Sequence, residues 1–387
     1  MRIRRRNVIA LMIAASIAAI PVYLGARNLQ SNPVTAQREV QLAPKEKEMT
    51  IDTIVEGVEI PWSMAFAPDG RIFFTERRGR LRVVEDGMLI ATPFATPDVS
   101  AIGEGGLLGV ALDPQFDENS LVFAYHTYSE GRKIFNRIIR FKAVGNKGVE
   151  QRTIIDQIPG GRNHNGGRIK FGPDGKLYVG TGEVGRRELA QDLSSLGGKI
   201  LRINPDGSVP EDNPFPNSPV FSFGHRNPQG LDWHPENMKL YSAEHGPSGE
   251  DGQFAHDEIN IIEPKNNYGW PQQVGKGGDD SFTDPLVDTG SETWAPSGIA
   301  FYRGVNPESW RNNLFVATLR GSHIHRLVLD ETGNSIIRQE KLFQGTYGRI
   351  RAMVSGPDGA LYFSTSNRDG RGRPAENDDR ILRLRFS

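Results

Sequence analysis

Two segments flanking one short hairpin carry the strongest chemical signal in the chain. Gly161-Arg-Asn163-His164-Asn-Gly-Gly-Arg168 sets an imidazole in a glycine-rich approach, and Gly180-Thr-Gly-Glu183 sets a carboxyl group just beyond. Glycine lets backbone come close to a ligand, and imidazole titrates near neutrality and suits general-base work. A carboxylate at the other end of the hairpin can orient the ring or hold its proton. A surface histidine and a solvated acid are the plainer reading, and matched strand lengths would decide against it.

A second set is rich in positive charge. Phe223-Gly-His225-Arg226-Asn227-Pro228-Gln229-Gly230 crowds donors into a turn, so Arg226 and Asn227 can recognise carboxylate or carbonyl oxygens. In Tyr347-Gly-Arg349-Ile-Arg351, alternation puts both guanidinium groups on one face of a strand, which is costly unless an anion bridges them. Arg320, in Leu319-Arg320-Gly321, occupies the corresponding end of the preceding unit. If Arg226, Arg320, Arg349 and Arg351 converge, they call for a polyanionic ligand; if not, they are scattered solvated cations. Glu244-His245-Gly246-Pro247 adds backbone carbonyls of Gly246 and Pro247 that a hard cation could use.

These segments need a scaffold that gathers distant loops, and a repeat supplies one. An apolar stretch, a Pro-containing turn and a second alternating stretch recur six times, at Met64–Phe74, Val110–Pro114, Ile169–Val179, Leu231–Pro235, Ile299–Pro307 and Met353–Phe363. Where the turn reads Pro-Asp-Gly, Pro sets φ, Asp caps and Gly takes the positive φ of a hairpin. Between the copies lie Leu81-Arg82-Val83, Ile139-Arg140-Phe141, Leu201-Arg202-Ile203, Ile259-Asn260-Ile261, His325-Arg326-Leu327 and Leu382-Arg383-Leu384, again six. Six units of about fifty residues, each a small antiparallel sheet, predict an all-β, six-bladed β-propeller of four-stranded antiparallel blades over residues 50–387, closed by pairing of its two ends. Two β-sandwich domains are the alternative. A propeller has one axis, where loop residues from all six units can meet.

Composition narrows the chemistry. The 387 residues include 44 Gly and 25 Pro, which suits many tight turns, and no Cys, which removes disulfides, thiolate metal sites and Cys nucleophiles. Net charge is −1, but the first thirty residues hold five arginines and no acid, leaving 41 basic against 47 acidic residues, or −6. A mildly acidic body gives no electrostatic reason to bind nucleic acid. There is no Gly-x-Gly-x-x-Gly opening a helix, no phosphate-binding loop ending in Gly-Lys-Ser/Thr, no Gly-x-Ser-x-Gly elbow and no His-Glu-x-x-His. Arg2–Arg6 before the apolar run Val8–Leu24 reads as an export signal or a retained N-terminal membrane anchor over residues 1–29, with Arg5-Arg6-Asn7-Val8-Ile9 in the twin-arginine outline. Residues 30–49 read as a flexible linker, and the body is expected to be periplasmic or otherwise extracytoplasmic.

The motifs together resemble the soluble PQQ-dependent glucose/sorbosone dehydrogenase family, most of all its aldose sugar dehydrogenases. The resemblance rests on Pro61-Trp-Ser-Met-Ala-Phe, Glu104-Gly-Gly-Leu-Leu-Gly, Asn163-His-Asn-Gly-Gly-Arg, Gly224-His-Arg-Asn-Pro-Gln-Gly, Glu244-His-Gly-Pro, Asp257-Glu-Ile-Asn, Asn267-Tyr-Gly-Trp-Pro and Arg349-Ile-Arg, in order over residues 50–385. It implies PQQ, a tricarboxylate, at the axis, and an aldose oxidised to its lactone with electrons passed to a quinone or dye-like acceptor. His164 would be the base, Glu183 its acid partner, and Arg226, beside Asn227, the group polarising the quinone oxygen. Arg320, Arg349 and Arg351 would hold the carboxylates, and Glu104 and Asn163 would face the sugar. The carbonyls of Gly246 and Pro247 would bind a catalytic Ca²⁺, with Glu258 and the Tyr268 carbonyl at a structural one. Arg320 stands where relatives often have Lys, Glu104 where some have Gln, and the Ser248–His256 loop is longer than usual. The working unit is expected to be a monomer or homodimer. Other functions on the same scaffold are a Ca²⁺-dependent lactonase and a cofactor-free binding module.

Overall fold

The computed structural model describes residues 48–386. The leader expected over residues 1–29 and nearly all of the linker over residues 30–49 lie outside the described residues. The first strand, Met49–Val55, begins one residue earlier than the boundary expected for the propeller.

Six four-stranded antiparallel sheets succeed one another along the chain. Their first strands, Pro61–Phe66, Leu107–Leu112, Ile169–Phe171, Pro228–Trp233, Pro296–Phe301 and Ile350–Ser355, each touch the first strands of the sheets before and after, including the sixth against the first. That closed cycle defines a six-bladed propeller with these strands innermost. The ring is locked by Met49–Val55, which pairs antiparallel with the C-terminal strand Ile381–Phe386 in the register Ile51↔Leu384 and Thr53↔Leu382. The last blade is thus built from both ends of the described chain, as the sequence pattern required.

All six expected hairpins join a first strand to a second. In the three Pro-Asp-Gly copies the turn is the same: Gly70, Gly175 and Gly359 have φ of +91°, +71° and +76°, and Asp69, Asp174 and Asp358 accept from the amides of Arg71, Lys176 and Ala360. The copies lacking Asp-Gly close differently, one through the four-residue helix Phe116–Asn119 and one through a 3₁₀ turn at Glu308–Trp310. Among the described residues that four-residue helix is the only α-helix.

The second series forms the third strand of each blade. Its apolar members pack between neighbouring blades: Leu81 and Val83 join Val110, Val122 and Ile139 in one cluster, all buried. Four of its five central arginines are paired with carboxylates, Arg82 with Glu76, Arg202 with Asp174 and Asp212, Arg326 with Glu340, and Arg383 with Asp52. In the fourth blade the central residue is Asn260, a difference that matters below.

Candidate active site

At one end of the axis, where the chain enters the first strands and leaves the second ones, lies a chamber of about 210 Å³. Trp62, Glu104, Asn165, Gln229, His245 and Arg351 line it, drawn from five of the blades. His164 adjoins it. Its backbone has φ of +52°, and the chain beside it is so close that a Cβ on Gly182 would sit 1.8 Å from the His164 carbonyl oxygen. The glycines flanking the histidine therefore let two backbones meet, and they deliver the ring to its partner.

That partner is Glu183. His164 Nδ1 lies 2.5 Å from Glu183 Oε1, and the second carboxylate oxygen is buried without a partner. A carboxylate can only accept, so Nδ1 carries the proton and Nε2 presents the lone pair of a base. The His164 amide donates to Glu104 Oε2 at 3.1 Å, and Glu104 Oε1 accepts from Arg371 at 2.7 Å. Burial alone would raise the Glu104 pKa, but neighbouring positive charge, with Arg371 the permanent cation among it, brings it down to about 2. His245 is pushed down to about 3, chiefly by burial and further by Arg226 and Arg351, so at neutral pH it is an uncharged ring.

The arginines do not form one cluster. Arg226 is buried and lines a small cavity beside the chamber with Glu244 and Gly246, with Nη1 on the His245 carbonyl at 3.2 Å and Nη2 on Glu250 at 2.6 Å, while its Nε has no partner. Asn227 accepts from the Gly166 amide at 3.0 Å and leaves its Nδ2 buried and unmatched. Arg349 and Arg351 do share an anion, but the protein supplies it: Asp369 lies 2.8 Å from Arg349 Nε and 3.7 Å from Arg351 Nη2. Arg351 also donates to Gln229 at 2.7 Å, keeps a buried, unpartnered Nε, and is pushed down to about 9 by burial, which leaves it charged at neutral pH. Arg320 is exposed and lines a neighbouring groove with Tyr347, Arg349 and Arg371 instead of the chamber. Asn163 is likewise exposed, and it is Asn165, two residues on, that faces the chamber.

The Glucose / Sorbosone dehydrogenase family model matches residues 58–382. The chain belongs to that family. The aldose sugar dehydrogenase YliI of Escherichia coli is 32% identical over 83% of this chain and 91% of its own. A structure from Thermus thermophilus, described as a glucose dehydrogenase-type oxidoreductase, superposes with a TM-score of 0.81 at 48% identity, covering 87% of this chain and all of that one. The PQQ-bound aldose sugar dehydrogenase of Streptomyces coelicolor superposes at 0.78 with 39% identity, covering 88% and 99%.

In this chain Gly246, Pro247 and Glu258 line a single cavity of about 10 Å³ together with Glu244 and Arg226. That is room for one ion or water. Glu258 faces Glu244 across paired strands, and burial, then the Glu244 charge, push its pKa well up. Asn260 donates to both carboxylates and keeps a buried Oδ1 with no partner. Other blades place an arginine at this strand position; here it is an asparagine, and the cation at the cavity is Arg226, whose backbone amide donates to Glu244 at 2.8 Å. The carboxylate oxygens of Glu244 and Glu258 and the backbone carbonyls beside them are hard donors of the kind Ca²⁺ takes. Two details depart from the expected ligand set. The Pro247 carbonyl accepts from the Ala255 amide at 3.0 Å, and Tyr268 stacks on His225 at 4.6 Å outside the cavity lining.

Sequence reasoning missed Asp369, Arg371, Glu250, Gln229 and Trp62. Asp369 had a usable signal: it follows the sixth hairpin as Glu183 follows the third. Glu250 had none beyond lying in the long loop.

Proposed function

We propose that this chain catalyses PQQ- and Ca²⁺-dependent oxidation of an aldose to its lactone, passing the electrons to a quinone or dye-like acceptor other than oxygen. The observation that carries this reading is the set of buried, unmatched polar atoms beside the His164–Glu183 pair: Arg226 Nε, Asn227 Nδ2 and Arg351 Nε. Unpaired buried donors are costly, and a polyanion with several acceptor oxygens would satisfy them. Bound there, PQQ would supply a two-electron acceptor for the hydrogen on the sugar's C1.

The protein's own part is acid–base chemistry and positioning. His164 Nε2 takes the proton of the anomeric hydroxyl as C1–O becomes a carbonyl, and Glu183 stabilises the imidazolium that results. Arg226 and Asn227 donate toward the acceptor's oxygens, Arg349 and Arg351 toward its carboxylates, with Arg320 at the rim of the adjoining groove. Glu104, ionised and next to the His164 backbone, accepts from sugar hydroxyls. Gly246, Pro247 and Glu258 with Glu244 hold Ca²⁺, and Tyr268 supports them through His225. The arginine-rich N-terminal leader supports an extracytoplasmic location, as a free or tethered monomer or homodimer.

The test is reconstitution of the apo-protein with PQQ and Ca²⁺, followed by quinone absorbance and by dye reduction with a panel of sugars. Sugar-dependent dye reduction that needs PQQ supports the reading. Lactone cleavage without PQQ, or tight uptake without turnover, would replace it with a hydrolase or a binding module respectively.

A further inference from the structure

The axis has a second opening at its other end. A cavity of about 390 Å³ is lined by residues of all six blades, among them Met64, Val110, Ile169, Leu231, Ile299 and Met353. A layer of polar side chains separates it from the chamber above. Gln229 anchors that layer, receiving Arg351 Nη1 on its side-chain oxygen and Arg168 Nε on its backbone carbonyl, and both guanidinium groups lie over the Trp62 ring at 5.7 and 4.4 Å.

The charge lining this lower cavity is one-sided. Arg168, Lys170 and Arg303 line it, and no acidic residue does. Asp232, fully buried behind them, accepts from Lys170 at 2.7 Å and from both ends of Arg303 at 2.8 Å. One carboxylate therefore serves two cations, and Arg168 has none. Its Nε and Nη1 go to neutral oxygens, the Gln229 carbonyl and Ser63 Oγ, and its Nη2 has no partner although the residue is only 6% exposed. Burial pushes its pKa down to about 9, which still leaves it charged at neutral pH. A buried guanidinium without a counter-charge is among the costlier features a fold can carry. Lys170 and Arg303, partly exposed, give the cavity a positive mouth that would draw an anion in.

We propose that this lower axial cavity is a binding site for a small inorganic anion, a halide or phosphate-sized oxyanion, which supplies the counter-charge that Arg168 lacks. The site lies across the polar layer from the proposed redox chamber and does not rest on the reading given for that chamber. Its contribution is to the stability of the ring: the anion would bind residues of several blades where all six converge at the lower end of the axis.

Crystals of the full chain soaked in bromide, read by anomalous scattering, test it directly, with unfolding midpoints in bromide and in phosphate at fixed ionic strength as the solution counterpart. The expected result is an anomalous peak in the cavity within hydrogen-bonding reach of Arg168, and a midpoint that rises with anion concentration. Arg168→Gln should lose both. Because that variant also loses its stacking on Trp62, Arg303→Gln is the second arm: it keeps the layer intact and should weaken the apparent anion affinity roughly tenfold. A cavity holding water alone in bromide, or midpoints that respond to anion concentration equally in wild type and Arg303→Gln, would overturn the proposal.

Discussion

His164 Nδ1 and Glu183 Oε1 lie 2.5 Å apart, one on the loop into the third blade's first strand and the other just past its second. The pair fixes which ring nitrogen is the base. Replacing His164 with Ala should lower turnover by roughly 10²–10⁴, the usual worth of a positioned general base, with PQQ uptake by quinone absorbance changed little. Glu183→Gln can donate as well as accept, so it should lower turnover less and shift the pH–rate profile. Loss of uptake in His164→Ala would remove the histidine from the chemistry.

Glu250 sits on Arg226 at 2.6 Å and is itself held at about 2; burial works against this, and the hydrogen bond from Arg226 outweighs it. A polyanion reaching Arg226 must contend with that charge. Glu250→Gln should therefore tighten PQQ binding, by roughly tenfold for one partly screened charge, in an equilibrium titration. Unchanged or weaker binding would show that the loop helps hold the cofactor.

Asp369 neutralises the Arg349 and Arg351 pair in the ligand-free protein. Asp369→Asn should cost the apo form about 3–5 kcal/mol in urea unfolding, the range for stripping a buried pair of one partner, and PQQ should recover much of it. Equal losses with and without PQQ would place the carboxylate's role outside cofactor binding.

Asp232 gives a pH signature. Burial would raise its pKa, but Lys170 and Arg303 outweigh this and hold it well below the ordinary carboxylate range. A group depressed in the folded state contributes stability above its unfolded pKa, about 3.9, and loses it as pH falls toward the folded value. Unfolding free energy in wild type should thus drop steeply below about pH 4. Asp232→Ala should be less stable at neutral pH and flatter through the acid range; parallel curves would contradict the assignment.

Ca²⁺ should raise the thermal midpoint and a chelator should lower it, with the gain mostly lost in Glu258→Gln, since Glu258 and Glu244 supply the carboxylates that line the cavity. A calcium response unchanged in the variant would move the ion elsewhere.

Much of this architecture was legible because it repeats. Each hairpin pairs a Pro turn with apolar alternation, and each third strand has two buried or half-buried residues around a polar one, so both series survived the loss of Asp-Gly in three copies. The outermost strands left no such trace: Ile336–Leu342 is mostly exposed and Val287–Asp288 is two residues long, so neither needs an apolar face. In the site, His164 and Glu183 were legible as the two ends of one hairpin of matched length. Arg320 and Asn163 are exposed and outside the chamber lining, since a residue at a loop tip can turn either way and packing decides which. The anion between Arg349 and Arg351 proved to be Asp369, an acid in a glycine-rich turn that resembles any capping aspartate until the sixth blade folds.

The most direct measurement is the structure of the protein crystallised with PQQ and Ca²⁺. The cofactor is expected on the axis over Trp62, with its oxygens on Arg226, Asn227 and Arg351, a metal between Gly246 and Glu258, and His164 Nε2 open to the sugar. Density for PQQ elsewhere on the protein, or an axial chamber whose arginines keep only Glu250, Gln229 and Asp369 as partners under saturating PQQ, would contradict it.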